Sequence, residues 1–245
     1  MKDSAAASVV ERLMTDGPVF HAGGTRVWNA LPETLRLLAA NVKDGDRTLE
    51  TGAGASTVIF TAAGAEHTAI SPAADEHERI RAYSESIGLD TSRLSFMADT
   101  SDVALPALKL DRPVDVAFID GKHSFPHPTI DFHYVEQKLA VGGVLILDDV
   151  PMPAVAVVYG FMQGSPDWQL LEVADHRAAA FRKLATADPD DNWHLQPFNR
   201  GYPDYSFAPL PARIRLTTDY RVRQSARKLK AQLPANRRRR ATPGR

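Results

Sequence analysis

From residue 47 onward, short apolar runs alternate with stretches of helical periodicity, and this alternation limits the folds open to the chain more than any other feature. RTLET reads as a strand, STVIFTAAGA as a helix from Ser56 and EHTAIS as a second strand. ADEHERIRAYSESIG is helical, with Ile80, Tyr83 and Ile87 at spacings of three and four. RLSFMAD and VDVAFID follow as strands, then a helix over roughly 128–140, GGVLILDDV as a fifth strand, and a helix over roughly 153–163. WQLLEVAD and AAAFRKL close the pattern as a hairpin across the tripeptide DHR. Strands separated by helices pair in parallel, with the crossovers packed on both faces of one sheet. The expected fold is therefore α/β, a seven-stranded and mostly parallel sheet with helices on both faces and an antiparallel last hairpin. Residues 1–46 predict one or two helices ahead of it, including the amphipathic LPETLRLLAANV, and 47–184 are the core. Residues 185–245 form an extension, rich in proline and aromatics and then basic.

The first strand runs into LETGAGAST, residues 49–57, with two glycines, one carboxylate and nothing bulky between Glu50 and Thr57. Gly52 and Gly54 let the backbone turn tightly and approach a ligand closely. The free N–H groups of a helix that starts at Ser56 favour a carboxylate or phosphate. The dinucleotide fingerprint is G-x-G-x-x-G, and here its third glycine is Thr57. Glu50 suits an ammonium group or a ribose hydroxyl better than a pyrophosphate. Taken by itself, the stretch also reads as a plain strand-to-helix turn beside an exposed Glu.

Asp120, Asp148 and Asp149 end the fourth and fifth strands, which open α/β sheets place side by side at the ligand-binding carboxyl edge. Three carboxylates at one edge repel unless a cation joins them, and a hard ion with oxygen ligands, Mg²⁺ above all, resolves this. The alternative is that Asp148 or Asp149 caps the next turn while Asp120 faces a cofactor.

Composition is that of a globular chain, 44% hydrophobic and 24% charged. The absence of cysteine excludes disulfides, thiolate catalysis and Cys-ligated zinc. The N-terminal stretch lacks the apolar run of a signal peptide. The longest apolar run, residues 154–162, is far short of the ~18 residues of a membrane span. The expectation is a soluble, cytoplasmic protein. The net charge of −1 hides an asymmetry: from Pro211 onward the chain carries +11, and the rest carries −12. Such a tail suits an anionic surface, or it is a solvated extension. Its few aromatics weigh against nucleic acid, and no feature sets an oligomeric state.

Taken together, E-x-G-x-G-x-S after strand one, the acid of FMADTSD after strand three, FIDGKH after strand four and L-x-V-G-G-V-L-I-L-D-D at strand five have a familiar order and spacing. Over roughly residues 45–184 the chain resembles the class I S-adenosylmethionine-dependent methyltransferases. FIDG-x-H with GG-x-L-x-x-DD is most similar to small-molecule O-methyltransferases of the macrocin and aminocoumarin sugar type, and more distantly to catechol-type enzymes. The resemblance implies a Rossmann-like fold, S-adenosylmethionine as cofactor and a small hydroxylated molecule as acceptor. It implies that Glu50, Gly52, Gly54 and Ser56 hold the methionine part, that Asp99 approaches the adenine, and that Asp120 faces the methionine moiety or a metal on Asp120, Asp148 and Asp149. His123 stands where catechol-type enzymes carry a basic residue, and an imidazole is a suitable base near neutral pH. Lys122 is its rival, provided it is desolvated.

One departure stands out. Most members end strand two with an acid that binds both ribose hydroxyls; here that position is Ser71, followed by Pro72, and Ser71 is expected to contact the cofactor through a single oxygen, more weakly than an acid would. Asp75 and Glu76, a few residues on, read as charges at a helix start. His127 and His133 are expected to pack or face solvent. Trp28, His21 and the segment 193–205 are expected to cover the acceptor or to plug the edge of the sheet. Two alternatives stay open: a non-catalytic binder or scaffold of the same fold, and an NAD(P)-dependent oxidoreductase. The second is weakened by the missing third glycine and by the lack of a Tyr-x-x-x-Lys pair.

Overall fold

The computed structural model describes residues 5–21, 30–186, 196–200 and 205–232. Two helices, α1 (Ala5–Asp16) and α2 (Pro32–Asn41), precede the sheet. The order is then β1 (Arg47–Thr51), α3 (Ala55–Ala62), β2 (Glu66–Ile70), α4 (Ala74–Ser86), β3 (Leu94–Met97), α5 (Ser101–Ala107), β4 (Val114–Ile119), α6 (His127–Lys138), β5 (Leu139–Leu147), α7 (Pro153–Gly164), β6 (Trp168–Ala174) and β7 (Ala178–Lys183). The seven strands form one sheet in the order β3-β2-β1-β4-β5-β7-β6, with β7 antiparallel to both neighbours. The expected fold class is observed.

Alternation of side chains sorts the sheet's apolar residues between its two faces. Val116, Phe118, Val144, Ile146, Ala178 and Ala180 face a core built with α1, α2 and α3. Ala117, Ile119, Leu145, Leu147, Ala179 and Phe181 face a second core with α6 and α7. Burial on both faces explains why VAFI and VLIL are continuous apolar runs.

The sequence pattern missed two features. The segment after β3 holds α5, whose first turn borders the cleft described below. β5 begins at Leu139, three residues ahead of the expected GGVLIL, directly where α6 ends. The buried ammonium of Lys183 lies 2.6 Å from the Glu136 carbonyl and 3.1 Å from that of Leu139, and so satisfies the helix end. The β4–β5 register shifts between Val114 and Val116, where β5 bulges at Gly142-Gly143. A Cβ on Gly143 would stand 2.9 Å from the carbonyl oxygens of Ala140 and Asp115, so the two backbones meet with no room for a side chain.

The chain divides by contacts into residues 1–198 and 199–245. In the second unit the described residues form a 23-residue helix, α8 (Leu210–Gln232), with Leu210, Ile214 and Val222 exposed. The arginine run 237–240, Trp28, and residues 193–195 and 201–204 of the expected covering segment lie outside the described residues. Among the described residues no helix is long and apolar enough to cross a membrane.

Gly143→Ala is expected to cost about 1–3 kcal/mol, because neither carbonyl can yield without shifting a strand. Urea denaturation checks this, and an unchanged midpoint would show that the strand has slack there.

Candidate active site at the carboxyl edge of the sheet

The strand order reverses direction between β1 and β4, and open α/β sheets bind ligands at such a switch point. Three loops meet there. The Asp120 N–H donates to the Thr51 carbonyl at 3.0 Å and the Asp148 N–H to Ile119 at 3.1 Å, which carries the ladder one step past the strands. The Gly52 N–H donates to the Ile70 carbonyl at 2.9 Å. Gly52 has φ +98°, and a Cβ on it would stand 2.5 Å from the Asp120 carbonyl oxygen. Glycine is required at that crossing both for its dihedral and for its lack of a side chain.

A cleft of about 600 Å³ opens over this crossing. Its walls include Gly52, Gly54 and Ser56 from the first loop, Ser71 and Glu76 from the β2–α4 segment, and Thr100 to Asp102 at the start of α5. They also include Asp120, Lys122 and His123 after β4, with Asp148, Asp149 and Arg177 beside them. Most residues expected from the sequence are therefore brought together. Asp99 is not: its carboxylate is exposed and accepts from the Thr100 N–H at 2.7 Å, and Thr100, Ser101 and Asp102 line the cleft in its place. His127, expected to pack or face solvent, is a wall residue. His133 meets Gln137 on an exposed face, as expected.

Glu50 does not line the cleft. It is 1% exposed beneath the glycine loop, and its Oε1 accepts from the Thr57 hydroxyl and lies 3.2 Å from His67 Nε2. The Thr57 hydroxyl in turn accepts from the Gly54 N–H at 3.0 Å. His67 continues the chain to the Thr48 hydroxyl at 2.7 Å. Thr57, which breaks the dinucleotide fingerprint, thus ties the loop to a buried carboxylate. A third glycine could not do this.

The acids on the other wall are not left to repel one another. The Arg177 guanidinium forms an ion pair with Asp149 Oδ1 at 2.7 Å, and its Nε lies 3.8 Å from Asp148. Asp148 Oδ1 also accepts from the Thr34 hydroxyl at 3.3 Å. Arg177 sits in the β6–β7 turn, and its carbonyl accepts from the Val150 N–H at 2.8 Å, which fastens that turn to the end of β5. Sequence reading missed Arg177 because it is near in space through β7 alone. Its signal was topological: a strand returning antiparallel beside β5 starts from the carboxyl edge.

His123 lies between two acids, with Nε2 3.5 Å from Asp120 Oδ1 and Nδ1 3.7 Å from Asp149 Oδ2. The Nε2 atom is buried without a hydrogen-bond partner. Among the described residues, Asp120, His123 and Asp149 offer three ligand atoms within 4.8 Å of one another. Asp148, expected to join a metal set, stands apart from this trio, engaged with Thr34 and Arg177. Burial, then Asp148, Asp149 and Glu50, push the Asp120 carboxyl well above the usual range, against the pull of Arg177. Burial likewise raises Asp148 and Asp131, the latter packed behind Gly121.

Thr57→Val would remove a donor from buried Glu50 and an acceptor from Gly54. It is expected to cost about 1–3 kcal/mol in urea denaturation, and a smaller loss would show that the loop stands without this tie. Asp120 gives a pH signature. An unfolded Asp titrates near ~3.9, whereas the folded protein keeps this proton to higher pH. Stability contributed by the group is therefore full below pH ~4 and falls as pH rises through the folded pKa. Metal-free Asp120→Asn should match wild type near pH ~4 and exceed it in stability at neutral pH. Parallel pH profiles would contradict the raised pKa.

Residues 49–150 match the family model described as a methyltransferase domain. No curated protein sequence matches the chain. Among solved structures, the O-methyltransferase TomG from Streptomyces achromogenes, involved in tomaymycin synthesis and solved with SAM, superposes with TM-score 0.55 at 16% identity, over 76% of this chain and 92% of that one. An SAH-bound methyltransferase from Podospora anserina gives 0.56 at 14% identity, over 74% and 88%. A methyltransferase from Geobacter sulfurreducens gives 0.55 at 16%, over 76% and 91%. Residues 49–150 are thus similar to a methyltransferase domain, and the sheet that carries them has the Rossmann-like fold of these solved methyltransferases.

Proposed function

We propose that the chain is an S-adenosylmethionine-dependent O-methyltransferase acting on a small hydroxylated molecule, with a divalent cation beside the acceptor. One observation carries the reading: the bare backbone at Gly52 and Gly54 and the trio Asp120, His123 and Asp149 face the same cleft. The shared fold with TomG supports oxygen as the acceptor atom, and the FIDGKH and GGVLILDD signatures support the macrocin and aminocoumarin type.

The residues fit the cofactor. The Gly52–Gly54 backbone leaves room for a close ligand, and the first turn of α3 directs its free N–H groups toward a carboxylate. When bound, S-adenosylmethionine supplies an electrophilic methyl group open to direct displacement. Glu50 acts on it through the loop: with Thr57 it fixes the backbone that lies against the methionine part. Ser56 and Ser71 offer hydroxyls to the cleft, and Asp120 faces it at the crossing of β1 and β4.

A cation also fits, on Asp120, His123 and Asp149. When bound it would lower the pKa of an acceptor hydroxyl. Two carboxylates and an imidazole suit first-row divalent ions at least as well as Mg²⁺, which prefers oxygen ligands alone. A second reading rests on Arg177, already 2.7 Å from Asp149. Here the guanidinium balances the acids, and the His123 imidazole, between Asp120 and Asp149, takes the acceptor's proton.

Calorimetry is expected to give binding of S-adenosylmethionine and S-adenosylhomocysteine and none of NAD. Binding of NAD alone would make the chain an oxidoreductase, and no binding would make it a scaffold. With a hydroxylated acceptor in hand, EDTA should lower turnover at least ~100-fold, with recovery on adding Mg²⁺ or Mn²⁺. Turnover untouched by EDTA but cut about 10²–10⁴-fold in His123→Ala would establish the imidazole as base instead.

A further inference from the structure

We infer that Glu76, oriented by His21, accepts the hydroxyls of the cofactor's ribose, in place of a carboxylate at the end of β2. The inference rests on the cofactor reading above and asks which residue recognises the sugar.

The end of β2 lies beside the glycine loop, through the Gly52 N–H on the Ile70 carbonyl. The next side chain is Ser71, buried in the cleft wall, whose single oxygen lies 3.5 Å from the Ala73 N–H. A serine offers one acceptor atom to a pair of vicinal hydroxyls, whereas a carboxylate offers two oxygens. After Pro72 the chain turns directly into α4, and this brings two acids onto the first helical turn. They have opposite fates. Asp75 has a side chain 63% exposed and pairs with Arg79 at 2.8 Å on the surface. Glu76 has a side chain 11% exposed and lines the cleft. Burying a carboxylate in a cleft wall is costly unless it has partners there.

His21 supplies one. Its Nδ1 lies 3.3 Å from Glu76 Oε2, and its own side chain is 12% exposed. The other edge of the ring reaches the glycine loop: a Cβ on Gly54 would stand 3.5 Å from His21 Nε2. The imidazole thus spans the distance between the loop and Glu76, and it fixes one carboxylate oxygen in place. Spacing supports the assignment. In folds that open on a glycine-rich turn, the acid that bonds the ribose 2′-hydroxyl follows by about 20 residues, and Glu76 follows Gly54 by 22. A carboxylate here also disfavours any ligand with a phosphate on that sugar, because two anions would meet in a cleft.

Titration calorimetry of the full chain with S-adenosylhomocysteine and its 2′-deoxy and 3′-deoxy analogues tests this. Wild type is expected to bind the parent compound about 10-fold or more tightly than either analogue. Glu76→Gln should lose about 10- to 100-fold for the parent and bind all three alike, while Asp75→Asn behaves as wild type. Thermal unfolding reports whether Glu76→Gln folds. Should it not, Glu76→Asp retains the charge and pulls the oxygens back by one methylene, and loss of discrimination is expected there. A Glu76 variant that folds and discriminates like wild type, or a wild type indifferent to the deoxy analogues, overturns the inference alone. A wild type that binds none of the three overturns the cofactor reading beneath it as well.

Discussion

The site depends on the crossing of two backbones where β1 and β4 diverge. At that point the Thr51 carbonyl accepts from the Asp120 N–H, and Gly52 passes so near the Asp120 carbonyl that no Cβ fits. The contact fixes where the glycine loop can run, and so where bare backbone faces the cleft. It also fixes where the β4 loop begins, and with it Asp120 and His123. A switch point leaves a crevice because helices depart to opposite faces of the sheet. Here the crevice is floored by main chain and walled by acids.

Burial decides how polar groups around that crossing behave. Glu50, Thr57, His67 and Thr48 form a continuous hydrogen-bonded chain under the loop. Inside a protein such chains hold geometry firmly, since breaking one link strands a buried group. The loop's shape therefore comes from beneath, and its upper surface is left clear. On the far wall the same principle works through charge. Asp120 and Asp148 are raised by burial, and Arg177 offsets part of the repulsion. The acids can hold either a guanidinium or a metal ion as their cation, and the two possibilities lead to different roles for His123.

Much of the fold was legible because parallel strands buried on both faces favour unbroken apolar runs, as VAFI in β4 and VLIL in β5 show, and because the strands alternate with stretches of helical periodicity. The misses have local causes. α5 is short and contains Pro106, which hides it from a periodicity argument. The start of β5 was hidden by Gly142-Gly143, which reads as a turn but sits within the strand. Of the site, the glycines and strand-end acids were legible because their role follows from where a strand stops. Asp99 lies outside the cleft because β3 ends at Met97, two residues short of the acid, and its carboxylate is exposed there.

By itself, the sequence determined the sheet, its order of strands and helices, and the edge at which Gly52, Gly54, Asp120 and Asp148 collect. These follow from periodicity and from glycine's freedom, which are local properties. Tertiary structure alone decided that Glu50 lies beneath the loop, that Arg177 joins the acids, that His123 sits between Asp120 and Asp149, and that Glu76 turns inward while Asp75 turns out. Each of those pairings joins residues through the folding of separate segments onto one edge. A charge on a one-dimensional chain carries no record of which partner the third dimension will bring within 4 Å.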